Sequence, residues 1–400
     1  MAGPLSGLKV LDIGTVLAAP LAGTYLADLG AEVVKIEHPK GDSIRKWGIK
    51  KGDTYLLWKV VNRNKKDITL NLSVPKGQEL FKRLSKDTDV IIENFRPGTM
   101  DRWGLGFDDL RRNNPKLIMV SISGWGQSGP YRHKPGYGTL AEGMSGFAQL
   151  NGPENGPPTL PPVGMADAIS GLFAAYAALS AIYHRDRTGT GRGQHVDVSL
   201  YESLYTLLGF TSIPVTQYDQ LEIISHRLGN RTNFECPRNL YRTSDNRWIS
   251  ISSTNENMAR RIFLAMEMGD ILEVPGFRNN DERLKNVEKV DQLISEWMSK
   301  HSSDEVLQVF EKNEATAAIV YDVKDMFNDQ HFRARGNIVS VPDQDLGHIK
   351  MHGIFPIFDE TPGIMDHSAL PLGYDNKKVY CESLGLTEDE LKALERENVV

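Results

Sequence analysis

Through its first half the chain alternates short apolar runs with amphipathic stretches, and few folds accommodate that rhythm. Residues 8–13 (LKVLDI) read as a strand, residues 18–29 as a helix closed by Gly30, and residues 31–36 (AEVVKI) as a second strand. That is a βαβ unit, which implies parallel strands joined by right-handed crossovers. The pattern recurs with strands at 67–72, Val90–Glu93 and 116–123 and helices at 75–86 and 105–114. The expected fold class is therefore α/β, a doubly wound Rossmann-like sheet. Sites in such folds lie at the carboxyl ends of the strands.

Two Gly- and Pro-rich stretches break the rhythm, GWGQSGPYRHKPGYG (124–138) and NGPENGPPTLPP (151–162). Both read as loops. An Ala-rich helix from 165 to 184 and a strand at His195–Ser199 follow. Beyond about residue 221 the chain is more polar, with a strand at 248–253 and helices at 256–268 and 287–300. This block is expected to be a smaller α+β domain, and a length of 400 residues suits two domains. A last helix, 387–397, opens with a Thr cap and an acidic first turn.

A net charge of −6 with interspersed cations argues against a nucleic-acid partner. Neither an uninterrupted apolar run of about 20 residues nor a signal-peptide pattern is apparent, so no membrane association is expected. Cys236 and Cys381 fit neither a disulfide framework nor a metal spacing, and the histidines are scattered. A reducing, cytoplasmic setting without a bound metal is the expectation.

Three places invite chemistry. Asp167 lies in VGMADAISG, between the Pro-rich loop and the Ala-rich helix. On spacing alone it reads as a helix N-cap or first-turn residue, favoured by orphan amides and the helix dipole. Arg96 and Arg102, in ENFRPGTMDRWG, sit where a strand gives way to a loop. They suit bidentate contact with phosphates, or equally a solvated loop paired with Asp101. Tyr137 either closes over a ligand or anchors its loop. The N-terminal segment, a strand followed by Gly14 and a helix, lacks the G-x-G-x-x-G fingerprint of a dinucleotide site, and neither a P-loop nor a G-x-S-x-G hydrolase elbow is found.

Taken together, several motifs resemble one family. They are PLSGLKVLDIG…APLAGTYLADLGAEVVKIEHPKGDSIR, NRNKKDITLNL, DVIIENFRPGTMDRWGLGFDDLRRNNPKLIMVSISGWGQSGP and PPVGMADAISGLFAAYAALSAIYHRDRTGTGRGQHVDVSLYES. The chain is similar along its length to family III CoA-transferases, the group containing formyl-CoA transferase. The resemblance implies a large Rossmann-like domain built from both chain ends (1–205 and 325–400), a small domain at 222–322, and an interlocked homodimer. It implies acyl-CoA and a carboxylic acid as substrates, with coenzyme A as substrate and no permanently bound cofactor. It makes Asp167 the nucleophile, which would form a mixed anhydride and then an aspartyl-CoA thioester. It places CoA contacts at Leu17, Ala18, His38, Leu70, Asn94, Phe95, Arg96, Arg102, Lys134 and Tyr137.

This chain departs from formyl-CoA transferase at Leu17 (there glutamine), at His38 (there arginine), and in having no glycine run between residues 221 and 257. Those departures argue against formyl-CoA and oxalate. They leave a dicarboxylate such as succinate, or a methyl-branched C5 acid, with Arg45, Arg227, Arg231 and Arg238 as cations available for a second carboxylate. The same fold also hosts α-methylacyl-CoA racemases, whose histidine base falls where this chain has Gly136–Tyr137–Gly138. Tyrosine is a poor substitute base near neutrality. A non-catalytic CoA-binding subunit is the third reading, and the retained Asp167 counts against it.

Overall fold

A computed structural model describes residues 3–400; Met1 and Ala2, where the N-terminal reading begins, lie outside it. The chain forms two compact units. The first comprises residues 3–148, Leu160–Ile223 and Ala334–Val400, and the second Gln149–Thr159 and Ile224–Arg333.

The first unit is built on six strands: β1 (Lys9–Asp12), β2 (Glu32–Glu37), β3 (Lys66–Thr69), β4 (Val90–Glu93), β5 (Ile118–Ser123) and β6 (His195–Ser199). They lie in the order β3-β2-β1-β4-β5-β6, and every pairing is parallel. This is the doubly wound sheet expected from the sequence. All four residues of β4 and all six of β5 are buried, as parallel strands covered on both faces require. Strand order reverses between β1 and β4, and that switch point sets where a ligand crevice opens.

On one face pack α1 (Ala18–Asp28) and α4 (Met165–Arg187), together with α3 (Gly138–Met144) and α5 (Leu200–Thr211). The helix α2 (Pro75–Leu84) lies on the other face. Small residues let α1 and α4 approach closely: a Cβ on Gly171 would stand 2.9 Å from the Ala18 carbonyl oxygen. The helix α4 is long and apolar enough, by length and composition, to cross a bilayer. Its Ala166, Ala174, Ala178 and Ala181 are buried in the core instead.

The edge strand β3 is covered by the returning C-terminal segment. The Thr69 N–H donates to Asn376 Oδ1 at 2.9 Å, the Asp67 N–H to Asp375 Oδ2 at 2.9 Å, and the Tyr380 hydroxyl to the Thr69 carbonyl at 2.7 Å. Side chains thus stand in for a further strand at an otherwise open edge.

The expected helix at 105–114 is a single turn, Phe107–Leu110. Pro115 disfavours helical geometry before it, and Asn114 Nδ2 donates instead to the Ser85 and Thr88 carbonyls. The final helix, Glu388–Arg396, has the expected Thr387 cap, in a capping box with Glu390.

The second unit carries an antiparallel sheet of Arg238–Arg242, Trp248–Ser252 and Ala318–Ile319. Helices Glu256–Ala265, Val287–Met298 and Ser303–Lys312 close an apolar core around Tyr241, Ile249, Phe263, Ile294 and Phe310.

Candidate active site

Two turns meet at the switch point, residues 14–17 after β1 and residues 94–96 after β4. Asn94 ties them together: its Oδ1 accepts from the Thr15 N–H at 2.7 Å and its Nδ2 donates to the Thr15 carbonyl at 2.8 Å. Val16 adopts φ = 66°, a left-handed conformation that a β-branched residue occupies only under constraint. The constraint is visible. The Val16 N–H donates to the Asp42 carboxylate at 3.0 and 3.3 Å, and Lys35 donates to the Gly14 carbonyl.

Beneath these turns lies a buried charge cluster. Lys65 Nζ donates to Asp12 Oδ2 at 2.8 Å and to the Pro20 carbonyl at 2.6 Å, and Lys35 Nζ stands 3.7 Å from both Asp12 and Asp42. Burial acts to raise Asp12, but Lys35 and Lys65 outweigh it and hold the carboxyl low. Burial brings Lys65 down to about 8. A cluster of this kind is costly to bury and very costly to break, so it holds the turns in one geometry.

Above the turns opens a cleft of about 660 Å³. Its walls are Thr15–Ala18, Trp47, Asn94–Arg96, Ile122–Gly124, Pro135–Thr139, Glu142, Leu160–Gly164, Asp167 and Leu200. Asp167 enters from the first turn of α4. It does not cap that helix: the N-cap is Gly164, with no side-chain cap bond. The first amides of α4 are taken by Glu142, whose Oε1 accepts from Met165 N at 3.1 Å and Ala166 N at 3.2 Å. Burial, and then the charge of Glu142, push Asp167 up to about 6. Its carboxylate lies against the Cα of Gly138, where a Cβ would stand 2.3 Å from Oδ2. The cap reading of Asp167 therefore fails, while the first-turn reading holds. What remains is a desolvated carboxylate facing an open cleft, the environment that functional carboxyls share.

Of the positions singled out in the sequence, Leu17, Ala18, Asn94, Phe95, Arg96, Tyr137 and Asp167 all line this cleft. The other four lie elsewhere. His38 is exposed, with its Nδ1 accepting from the Lys40 N–H at 3.1 Å. Leu70 is 2% exposed within the core on the α2 face. The exposed Arg102 donates to Thr99 Oγ1 at 2.9 Å, and Lys134 sits 3.6 Å over the Tyr131 ring.

The four cations held available for a second carboxylate are committed. Arg45 is bound by Glu37 at 2.6 Å and Asp67 at 3.0 Å, Arg231 by Asp291 at 2.7 Å, and Arg238 by Glu235 at 3.1 Å. Arg227 donates to the Gly156 and Gln149 carbonyls. Arg96 is the one cationic side chain lining the cleft among the described residues, and its guanidinium has no protein partner there. Glu142, Trp47 and the Leu160–Val163 wall were not singled out from the sequence. Glu142 lies 25 positions from Asp167 in a stretch (LAEGMSG) that carries no motif.

Fold and site together define a doubly wound α/β protein whose crevice, at the switch point of a parallel sheet, holds a desolvated carboxylate. The chain belongs to CoA-transferase family III, which it matches over residues 5–376, and it is a CoA-transferase. It is 40% identical to a succinyl-CoA–D-citramalate CoA-transferase of Chloroflexus aurantiacus, over 99% of this chain and 98% of that protein. It is 36% identical to the beta subunit of a succinyl-CoA–L-malate CoA-transferase of the same organism, over 99% and 98%. The fold is that of a CAIB/BAIF family protein from Brucella suis, with a TM-score of 0.83 at 30% identity, covering 96% of this chain and 100% of that one.

Proposed function

We propose that this enzyme moves CoA from succinyl-CoA or a similar acyl-CoA to a free dicarboxylic acid, with Asp167 as the nucleophile. The observation that carries the reading is Asp167 itself: uncapping, desolvated and open to the cleft. The relatives named for citramalate and malate support the dicarboxylate class.

An Asp167 carboxylate oxygen attacks the thioester carbonyl, the C–S bond breaks, and a mixed anhydride forms with free CoA thiolate. The thiolate then attacks the aspartyl carbonyl, releasing the donor acid and leaving an aspartyl-CoA thioester. The acceptor carboxylate attacks that thioester to form a second anhydride, and the thiolate returns to the acceptor's acyl carbon and frees Asp167. Each step exchanges one activated acyl group for another, and the protein supplies nucleophile and placement. Leu17, Leu160, Val163 and Leu200 give the cleft apolar walls. Such walls protect an anhydride from water.

The turns carrying Leu17, Ala18 and Asn94–Arg96 would hold CoA, with Arg96 offering its free guanidinium to an anion. The cleft lining contains no histidine among the described residues, so nothing in it favours the racemase reading. The working form would be an interlocked homodimer in the cytoplasm. Large apolar side chains exposed in the single chain, among them Phe210 at 82% and Tyr183 at 67%, suit a covered surface.

The test is a panel of acyl-CoAs and free acids read by mass spectrometry, followed by hydroxylamine trapping during turnover. Transfer from succinyl-CoA to hydroxylated or methylated C4–C5 diacids is expected, with the hydroxamate at residue 167. Transfer confined to monocarboxylates, or a hydroxamate at any other residue, would refute it.

A further inference from the structure

The strand ends bear a second recess, of about 280 Å³, and Arg96 lines both it and the cleft. Its floor is Glu93, Met119, Ser121 and His195. Within β4 and β5, Ile92, Val120 and Ile122 pack toward α1 and α4, while Ile91 and Met119 pack toward α2. Alternation along the strands therefore puts Glu93 and Ser121 on the α2 face, behind the cleft.

Glu93 is 4% exposed and ends β4. Its Oε2 accepts from the Phe95 N–H at 2.7 Å. Ser121 stands opposite it in register on β5, and Ser121 Oγ is hydrogen-bonded to His195 Nε2 at 2.8 Å. The His195 ring stacks on Phe107 with centroids 5.8 Å apart. Burial pushes Glu93 up to about 7, while hydrogen bonds from Ser121 and the Phe95 amide pull it back. No cation pairs with it among the described residues.

A buried carboxylate without a cation is destabilising unless its hydrogen bonds do something an apolar side chain could not. Here they fix one amide, at the centre of the turn that sets Asn94 against Thr15 and Arg96 into the cleft. We propose that Glu93 is a positioning residue for acyl-CoA binding, acting from the rear face of the sheet through the Phe95 amide. This rests on the reading that residues 94–96 contact CoA.

Steady-state kinetics on the full-length enzyme test it. Glu93→Ala should raise the KM for succinyl-CoA roughly tenfold while kcat stays within about threefold. Glu93→Gln keeps an acceptor oxygen for the amide and should recover most of that KM. In an Arg96→Ala background, Glu93→Ala should add little, because both act through one turn. A wild-type KM in Glu93→Ala, a Gln variant as impaired as Ala, or full additivity with Arg96→Ala would each overturn the proposal. If Arg96→Ala alone leaves the KM unchanged, the assignment of the turn to CoA is what fails. If Arg96→Ala weakens binding and Glu93→Ala does not, only the positioning role fails. Should Glu93→Ala not fold, Ser121→Ala removes the supporting hydroxyl and should raise the KM about threefold. An unchanged KM there counts against the proposal.

Discussion

Two carboxylates flank the same strand ends, Asp167 over the front face and Glu93 behind it, and burial raises both. They differ in what their oxygens meet. Glu93 accepts from the Phe95 amide and is supported by Ser121 and His195, so its lone pairs are spent inside the protein. The amides that a first-turn Asp167 could have capped are occupied by Glu142, which leaves its carboxylate facing the cleft. Desolvation alone therefore does not mark a reactive group. What sets Asp167 apart is that its only protein hydrogen bond is to its own backbone amide, while it faces the open cleft.

The widest gap between the two should appear on removing the charge. Asp167→Asn is nearly isosteric and should lower transfer by at least about 10³-fold in a folded protein, the order expected on losing a nucleophile. Activity near wild type in Asp167→Asn would erase the distinction from Glu93. Next in size is Arg96, which touches both regions. Arg96→Ala should raise the KM for acyl-CoA roughly ten- to a hundredfold, as loss of a charge-assisted contact predicts.

Stability offers a smaller and oppositely signed test. The folded-state pKa of Asp167 is raised from 3.8 to about 6, so ionising it destabilises the fold. Its favourable contribution is complete below pH 3.8 and lost as pH rises through 6. Asp167→Asn should thus be more stable than wild type at pH 7.5, by about 3 kcal/mol, with the gain shrinking on acidification. Denaturant melts at several pH values check the sign, and a variant less stable at pH 7.5 would contradict the desolvated geometry.

The smallest effect concerns Glu142. The acid limb of kcat/KM should lie near pH 6 in the wild type, because protonated Asp167 cannot attack. Glu142→Gln keeps the acceptor for the α4 amides and removes the nearby charge. The limb should move to lower pH, by less than about one unit, since burial is the larger cause. A limb that stays put would leave burial as the whole explanation.

The parallel sheet was legible because its central strands, such as VIIE and IMVSIS, are apolar runs separated by helical stretches and by Gly and Pro, a local signal. At the site, ENFRPG and VGMADAISG stood out only through the family resemblance, because on spacing alone Asp167 reads as a cap or first-turn residue and Arg96 equally as part of a solvated loop. Glu142 did not stand out, because its role depends on α3 and α4 meeting in space. The four arginines misled for the same reason: their partners, such as Glu37 for Arg45 and Asp291 for Arg231, are set by tertiary contacts. The helix α5 also escaped the reading, though Ser199 and Glu202 form a legible start signal, with Ser199 accepting from the Glu202 N–H. It follows β6 with no intervening loop, which hides the change of period.

Gly138 carries a different kind of consequence. Its φ lies outside the left-handed region, so alanine is conformationally acceptable there, yet the added methyl would fall 2.3 Å from Asp167 Oδ2. The carboxylate, not the backbone, would have to yield. Gly138→Ala is thus a built-in spacer: it preserves charge, cap and fold while sliding the nucleophile off its line of approach, where a misplacement of about 1 Å can cost roughly a hundredfold in rate. An enzyme so altered should accumulate acyl-CoA bound beside an unacylated Asp167, the state that wild type passes through first.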